Sequence, residues 1–273
     1  MKTIKLFMIS FTLSFAFFGC EKSVDENEEM LLQKSALTNA TSEQSEGMCI
    51  TWVENFDSPD ALSGNWRLFG NPQPEWKAEA YGRNGLFDNN GPSPVKNYAV
   101  SDSLIGRGYG FIVEAEVMLK VINPDGTCVC PGIALIKSYD SELINPELTT
   151  GISMRIIYAG ANATWFPAKL RNHTWFLMEF ILENEKVISS GYIPADTYSN
   201  NWVILKFEVT PEGFVRFSCD DTLLWTPFSR IHPMMHSDNR IVLGYTSDGD
   251  PQTRSGVAYH NWVKATYSYS PEK

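Results

Sequence analysis

The sequence predicts an all-β sandwich set behind an export leader and an acidic tether. Three observations carry that expectation. From Cys49 onward apolar and polar residues alternate with period two, and helical periodicity is hard to find. The breaks between the alternating runs hold turn formers such as Asn123-Pro124-Asp125-Gly126, Thr210-Pro211-Glu212-Gly213 and Cys219-Asp220-Asp221-Thr222. The chain of 273 residues is 43% hydrophobic and 13% aromatic, enough for one sizeable core.

The leader comes first. Lys2 and Lys5 precede the apolar stretch Leu6 to Phe18. A membrane-spanning helix needs roughly 20 residues, so this stretch reads as the hydrophobic region of a signal peptide over residues 1–19. Residues 20–47 are a different material. They lack aromatics, and Glu21–Gly47 holds seven acidic residues against Lys22 and Lys34. Such a segment buries too little apolar surface to offset its ordering entropy, and it is expected to be a disordered tether. Of the total charge of −10, the leader carries +2 and the tether −5. The domain expected over residues 48–273 therefore carries −7 and is acidic in its own right. Nucleic acid and anionic membrane surfaces are excluded as electrostatic partners, because each demands a basic footprint.

The strands follow in order. Phe111, Val113, Ala115, Val117 and Leu119 are expected on one face of a long strand. Phe176, Met178, Phe180 and Leu182 alternate with Leu177, Glu179, Ile181 and Glu183. Val203, Leu205, Phe207 and Val209 form another such face, as do Val215, Phe217 and Cys219. Ile241, Leu243 and Tyr245 form a short run, and Val257, Tyr259, Asn261, Val263 and Ala265 a closing one. Many short strands at this spacing mean a sandwich or barrel, and the length suits a jelly roll of about a dozen strands. Cys49, Cys128, Cys130 and Cys219 leave buried thiols, a disulfide or zinc open. Cys128 and Cys130 are expected on opposite faces of their strand.

Two resemblances add to this reading. Phe17-Phe18-Gly19-Cys20 resembles the lipobox of bacterial lipoproteins, with Phe17 where Leu is usual. It implies lipidation at Cys20 and contact with the membrane through that anchor alone. The acidic run after Cys20 resembles the signal that sends lipoproteins to the outer cell surface in some glycan-foraging Gram-negative bacteria. Within the domain, Glu54-Asn55-Phe56-Asp57 with Gly64-Asn65-Trp66 resembles the opening of the concanavalin A-like jelly rolls. Asn201 to Val209 and the closing Val257-Ala258-Tyr259-His260-Asn261-Trp262-Val263 resemble later strands of that fold. The superfamily holds lectins, glycan-binding modules, glycoside hydrolases and polysaccharide lyases, so the fold does not choose among them.

What the resemblance implies is a surface-tethered carbohydrate-binding accessory lipoprotein with a glycan as partner. The alternatives are a glycoside hydrolase, less readily a lyase, and a non-catalytic adhesive protein. Sugar rings are met by exposed aromatics and by polar side chains. Trp165 and Trp175 flank a polar stretch holding Lys169, Arg171, Asn172 and His173, which makes Trp165, Trp175, Arg171 and Asn172 binding candidates. Tyr81, Arg83 and Asn84, with Asn89 and Asn90, form a second polar-aromatic loop. Trp66, Trp202 and Trp225 match core positions of the family, and Trp52, Trp76 and Trp262 read as structural.

Glu114 and Glu116 share a strand face with Cβ atoms roughly 7 Å apart, a candidate carboxylate pair for hydrolysis. The glucanase relatives carry Glu-x-Asp-x-Glu, and here Ile112 breaks that pattern. A lyase would draw on Arg155, Tyr158 and His173. His232 and His236 are separated by Pro233 and make no helical zinc pair, and Gly106, Gly108 and Gly110 precede a strand, not a helix. No cofactor is expected beyond a structural calcium, which the resemblance places at Glu54, Asp57 and Asn261. His260 stands where members often carry Asp, which speaks against it.

Overall fold

The computed structural model describes residues 48–70, 73–88, 98–105, 110–137, 150–182, 185–228, 238–244 and 255–269. Strands dominate these residues, and their only helical turns are three short 3-10 segments. Residues Gln44–Lys273 make one compact unit. The expectations for Cys20, the leader and the whole tether lie outside the described residues, as do those for Asn89, Asn90, Gly106, Gly108, Glu183, His232, His236 and Tyr245.

Two antiparallel sheets face each other. The eight-stranded sheet begins at β15 (Thr222–Trp225) and runs through β14 (Val215–Cys219), β13 (Trp202–Val209) and β6 (Phe111–Val121). It continues through β17 (Gly256–Tyr269), β4 (Arg83–Asp88) and β3 (Glu75–Ala80). β1 (Met48–Asn55) pairs with the second half of β17, so the first and last described strands are neighbours. The nine-stranded sheet runs β11 (Glu185–Ser189), β10 (His173–Leu182), β9 (Gly151–Ala159) and β8 (Gly132–Lys137). It continues β16 (Asn239–Leu243), β5 (Tyr98–Ser101) and β2 (Trp66–Phe69). β12 (Ile193–Pro194) adds to β10, and β7 (Cys128–Val129) adds to β9.

Alternation decides which residues fill the space between the sheets. Val113, Ala115, Val117 and Leu119 meet Val203, Leu205, Phe207 and Phe217 from one side. Ile152, Met154, Ile156, Phe176, Met178 and Phe180 close from the other. Each fully buried side chain of this size stabilises by about 1.5–3 kcal/mol relative to exposure. The hairpin between β14 and β15 turns on Asp220 and Asp221, both with positive φ (45° and 63°). Short Asx side chains tolerate that left-handed backbone, and a two-residue loop of this kind matches strand twist.

Three sequence expectations change here. The closing run from Val257 to Ala265 does not keep one face. The register with β6 shifts between His260 and Trp262. Ala258 and His260 therefore point into the core before the bulge, and Val263 and Ala265 do so after it. Tyr259 packs outside with Met118. An extra residue in a strand flips every side chain beyond it, which a period-two reading runs straight through. Trp202 is not in the main core either. It pairs with Met118 on the outward face of the eight-stranded sheet and is half-buried. Finally, Cys128 and Cys130 do not face apart. Both are buried in one outer cluster with Ile157 and Leu177, because residues two apart on an extended chain share a side.

His260 ties the sheets together. It is fully buried, and its Nε2 lies 3.0 Å from the Gly132 carbonyl of β8. Only the N–H of an imidazole satisfies a carbonyl, so Nε2 carries the proton. Burial pushes its pKa down to about 4, partly offset by that hydrogen bond. Gly132 is required by its surroundings. A Cβ there would meet Met154 O at 2.7 Å and Arg155 Cγ at 2.8 Å.

Candidate functional site

The loop from β9 to β10 builds the most exposed aromatic surface among the described candidates. Arg171 shapes it. Its Nε donates to the Phe166 carbonyl at 3.0 Å and its Nη2 to the Thr164 carbonyl at 2.9 Å, so the guanidinium grips the chain on both sides of Trp165. Asn172 takes a left-handed backbone (φ 63°), and its N–H donates to Ala159 O at 2.6 Å, closing the loop onto the strand it left. Trp175 donates its indole N–H to Leu170 O at 2.7 Å.

The result is a ladder of rings. Trp165, 50% exposed, lies edge-on to Phe166 at 4.7 Å. Phe166 meets Tyr192 at 5.0 Å, Tyr192 meets Trp175 at 6.4 Å, and Trp175 meets His173 at 6.1 Å. Tyr192 is 37% exposed. Burial pushes its phenol upward, with nearby Arg155 pulling the other way. At the end of the ladder His173 Nδ1 sits 2.9 Å from Asp196 Oδ2. Asp196 Oδ1 accepts the Thr174 N–H at 2.6 Å. With a carboxylate as its partner, Nδ1 is the nitrogen that donates.

Charge lies under this surface. Ser153, Arg155 and Ile157 occupy the side of β9 opposite to the core residues Ile152, Met154 and Ile156. Arg155 forms an ion pair with Glu179 of β10, and both are buried, as is Ser153. Register explains the pairing, since Glu179 stands across from Ser153, diagonal to Arg155.

The second aromatic group sits on the opposite face of the sandwich. Tyr81, also with positive φ (51°), lies edge-on to Tyr259 at 5.4 Å. Burial, then the neighbouring Tyr81, pushes the Tyr259 phenol up to about 12. Cations stand over two of the rings: Arg83 over Trp202 at 5.6 Å, and Lys120 over Tyr81 at 5.3 Å, with Tyr81 still 47% exposed. Asn84 bridges backbone, donating to Asp57 O and accepting from Glu79 N–H, both at 3.0 Å.

Glu114 and Glu116 belong to this same outward face. Glu114 is held by Lys264 at 2.7 Å. Glu116 is buried and takes bonds from Arg83 and from Asn261 Nδ2, each at 2.6 Å. Of the calcium candidates, Glu54 accepts from Asn65 at 3.1 Å, and burial pushes its carboxyl upward. Asn261 turns its amide to Glu116, and Asp57 is exposed. Among the described residues no three of His, Cys, Asp and Glu gather to hold a metal ion. The lyase trio does not assemble. Arg155 faces outward into its ion pair, while Tyr158 faces the core and donates to Pro124 O at 3.3 Å.

The structure thus joins Trp165, Trp175, Arg171, Asn172 and His173, and separates them from Tyr81, Arg83 and Asn84. Tyr192, Phe166, Asp196 and the Arg155–Glu179 pair are additions. Tyr192 and Asp196 follow β11 in an irregular segment without alternation, so nothing in the sequence marks them.

No family model matches the sequence, and no curated protein matches it. Solved structures do match in fold. The carbohydrate recognition domain of Emp46p, in a potassium-bound form, has a TM-score of 0.54 at 13% identity, covering 78% of this chain and 94% of that one. A Bacteroides ovatus mixed-linkage glucan GH16 protein, in complex with a product, has a TM-score of 0.53 at 12% identity, with coverages of 78% and 99%. The exoplasmic/lumenal domain of VIP36, bound to calcium and mannose, has 0.53 at 9% identity, with coverages of 82% and 97%. The chain is a jelly-roll β-sandwich of the concanavalin A-like kind. At such identities the likeness extends to the fold alone.

Proposed function

We propose that the protein is a surface-tethered, non-catalytic glycan-binding lipoprotein. A sugar lies on Trp165 and Tyr192, and its hydroxyls meet His173 and Asp196. The observation that carries this is the exposure of Trp165 and Tyr192 on either side of the buried Phe166. Rings facing solvent beside fixed acceptors present both an apolar surface for sugar C–H faces and partners for the hydroxyl fringe. The complexes with a glucan product and with mannose among the fold neighbours support the same class of ligand. The non-catalytic reading is favoured because Glu114 and Glu116 are each engaged by a cation. The tethering reading rests on Cys20 and the acidic run after it. Replacing Cys20 by Ser is expected to release the protein from washed membranes.

The test is an array of neutral β-glucan, agarose and mannose oligosaccharides with residues 44–273, followed by a reducing-end assay on each hit. Binding without new reducing ends is expected. Turnover would favour a hydrolase, and silence across the array would favour adhesion without a sugar.

A further inference from the structure

Charge is spread unevenly over this acidic domain. Its longest run without an acidic residue is 148–178, which holds Arg155, Lys169 and Arg171 as its cations. The same run carries Trp165 and Trp175. Arg155 is engaged by Glu179. Lys169 and Arg171 are not matched in this way.

Arg171 differs from the other described arginines. Arg67 and Arg240 pair with Asp102, Arg83 with Glu116, Arg155 with Glu179 and Arg216 with Glu208. Arg171 instead bonds the carbonyls of Thr164 and Phe166. Those acceptors are neutral, so no opposite charge offsets the guanidinium there. Lys169 is exposed on the 3-10 turn Ala168–Leu170, which joins the gripped segment to Arg171. Among the described residues neither cation forms an ion pair. The far end of the ladder has the opposite character. Asp196 stands there, held by His173 and by the Thr174 N–H. The ladder is therefore polar along its length, with cations on the Trp165 loop and a carboxylate beyond Trp175.

We propose, on the reading of the ladder as a glycan site, that its ligand is an anionic glycan. One sugar ring lies on Trp165, and its carboxylate or sulfate meets Lys169 in the field of Arg171. A neutral glycan would use neither charge. The domain's net charge of −7 does not oppose this. At about 0.15 M salt, charges more than about 8 Å away are largely screened, so a bound group responds to the cations beside it. Two cations are too few for the phosphate track of a nucleic acid.

The experiment is calorimetric titration of residues 44–273, the compact unit that holds every described strand, with two matched pairs of oligosaccharides. One pair is an oligogalacturonate and its methyl ester, and the other a sulfated galactan oligosaccharide and its desulfated form. Each pair shares a backbone, so the ratio of its two dissociation constants reports the charge. In at least one pair the anionic member is expected to bind about tenfold tighter at about 0.15 M salt. The pair that shows this ratio distinguishes carboxylate from sulfate. The ratio should shrink at about 1 M salt, where the screening length falls to about 3 Å. Lys169→Gln should cut the ratio about threefold or more, and Lys169→Arg should restore it, with the melting temperature kept in both. Ratios near one in both pairs, with glycans still bound through Trp165, would overturn the proposal and leave the ladder reading standing. A ratio untouched by Lys169→Gln would overturn it as well, because the charge would then be read elsewhere. Silence from all four oligosaccharides and the neutral array, or binding indifferent to Trp165→Ala, would remove the ladder reading and the proposal together.

Discussion

The two outward faces of the sandwich carry similar residues with different charged neighbours. On the eight-stranded sheet, Tyr81 and Trp202 lie beneath Lys120 and Arg83, and Glu114 and Glu116 are matched by Lys264 and Arg83. On the nine-stranded sheet the charges are buried as the Arg155–Glu179 pair, and the rings of Trp165 and Tyr192 are left toward solvent. Aromatic content alone does not make a binding face. What matters is whether the π surface is already occupied and whether the polar groups are already spent. Cation–π contacts at exposed sites contribute about 0.5–1 kcal/mol, which a sugar would first have to displace.

The largest effect should come from the buried pair. Replacing Glu179 by Ala leaves Arg155 charged and buried, and urea denaturation should show a loss of about 3–5 kcal/mol. Lys264→Met, at the half-exposed pair with Glu114, should cost no more than about 1 kcal/mol. Equal losses at the two sites would erase the contrast drawn between the faces.

Next comes His260, which spans both sheets. Its folded pKa of about 4 lies below the ordinary 6.5, so the unfolded chain binds a proton first as pH falls. Its contribution is complete above pH 6.5, declines as pH drops from there, and is gone below about pH 4. With 1.36 kcal/mol per pKa unit the loss is about 3 kcal/mol. Unfolding free energies at pH 7.5, 5.5 and 4 should show this slope, and His260→Gln should flatten it. An undiminished slope in the variant would assign the effect to other groups.

The ligand faces are separated by a third comparison. Trp165→Ala should lower glycan affinity roughly 30-fold, the size of a stacking hot spot worth about 2 kcal/mol, without shifting the melting temperature. Tyr81→Ala should change affinity less than about twofold. The reverse ranking would move the site to the opposite face. Trp175 is a poorer probe than Trp165, since it packs on the outer cluster and bonds Leu170, and its loss should lower stability as well.

The smallest effect is at Arg171. Because it grips the carbonyls of Thr164 and Phe166, Arg171→Lys should reduce affinity by about threefold to tenfold through a loosened Trp165, seen as lower Trp165 fluorescence anisotropy. Reduced affinity with unchanged anisotropy would return Arg171 to direct contact with the sugar.

The alternation of Phe111–Leu119, Phe176–Phe180 and Val203–Val209 was enough to read an all-β sandwich, because side-chain parity on a strand is a local property of the backbone. The turn at Asp220-Asp221 was legible for the same reason. Trp165 and Trp175 stood out as candidates because they interrupt that regularity beside polar residues. Local pattern could not report the bulge that adds Asn261 to β17, since a bulge is defined by the partner strand. Nor could it place Tyr192 and Asp196 against a loop some twenty residues earlier, or bring Arg155 diagonal to Glu179. It could not tell that Arg83 covers Trp202 while Trp165 stays open. Those are matters of strand order and register across two sheets. The sequence by itself determined which residues alternate, where the chain turns and how charge divides along its length. Only the tertiary structure decided which alternating side is buried and which rings remain free, because burial is a property of neighbours brought together from distant parts of the chain.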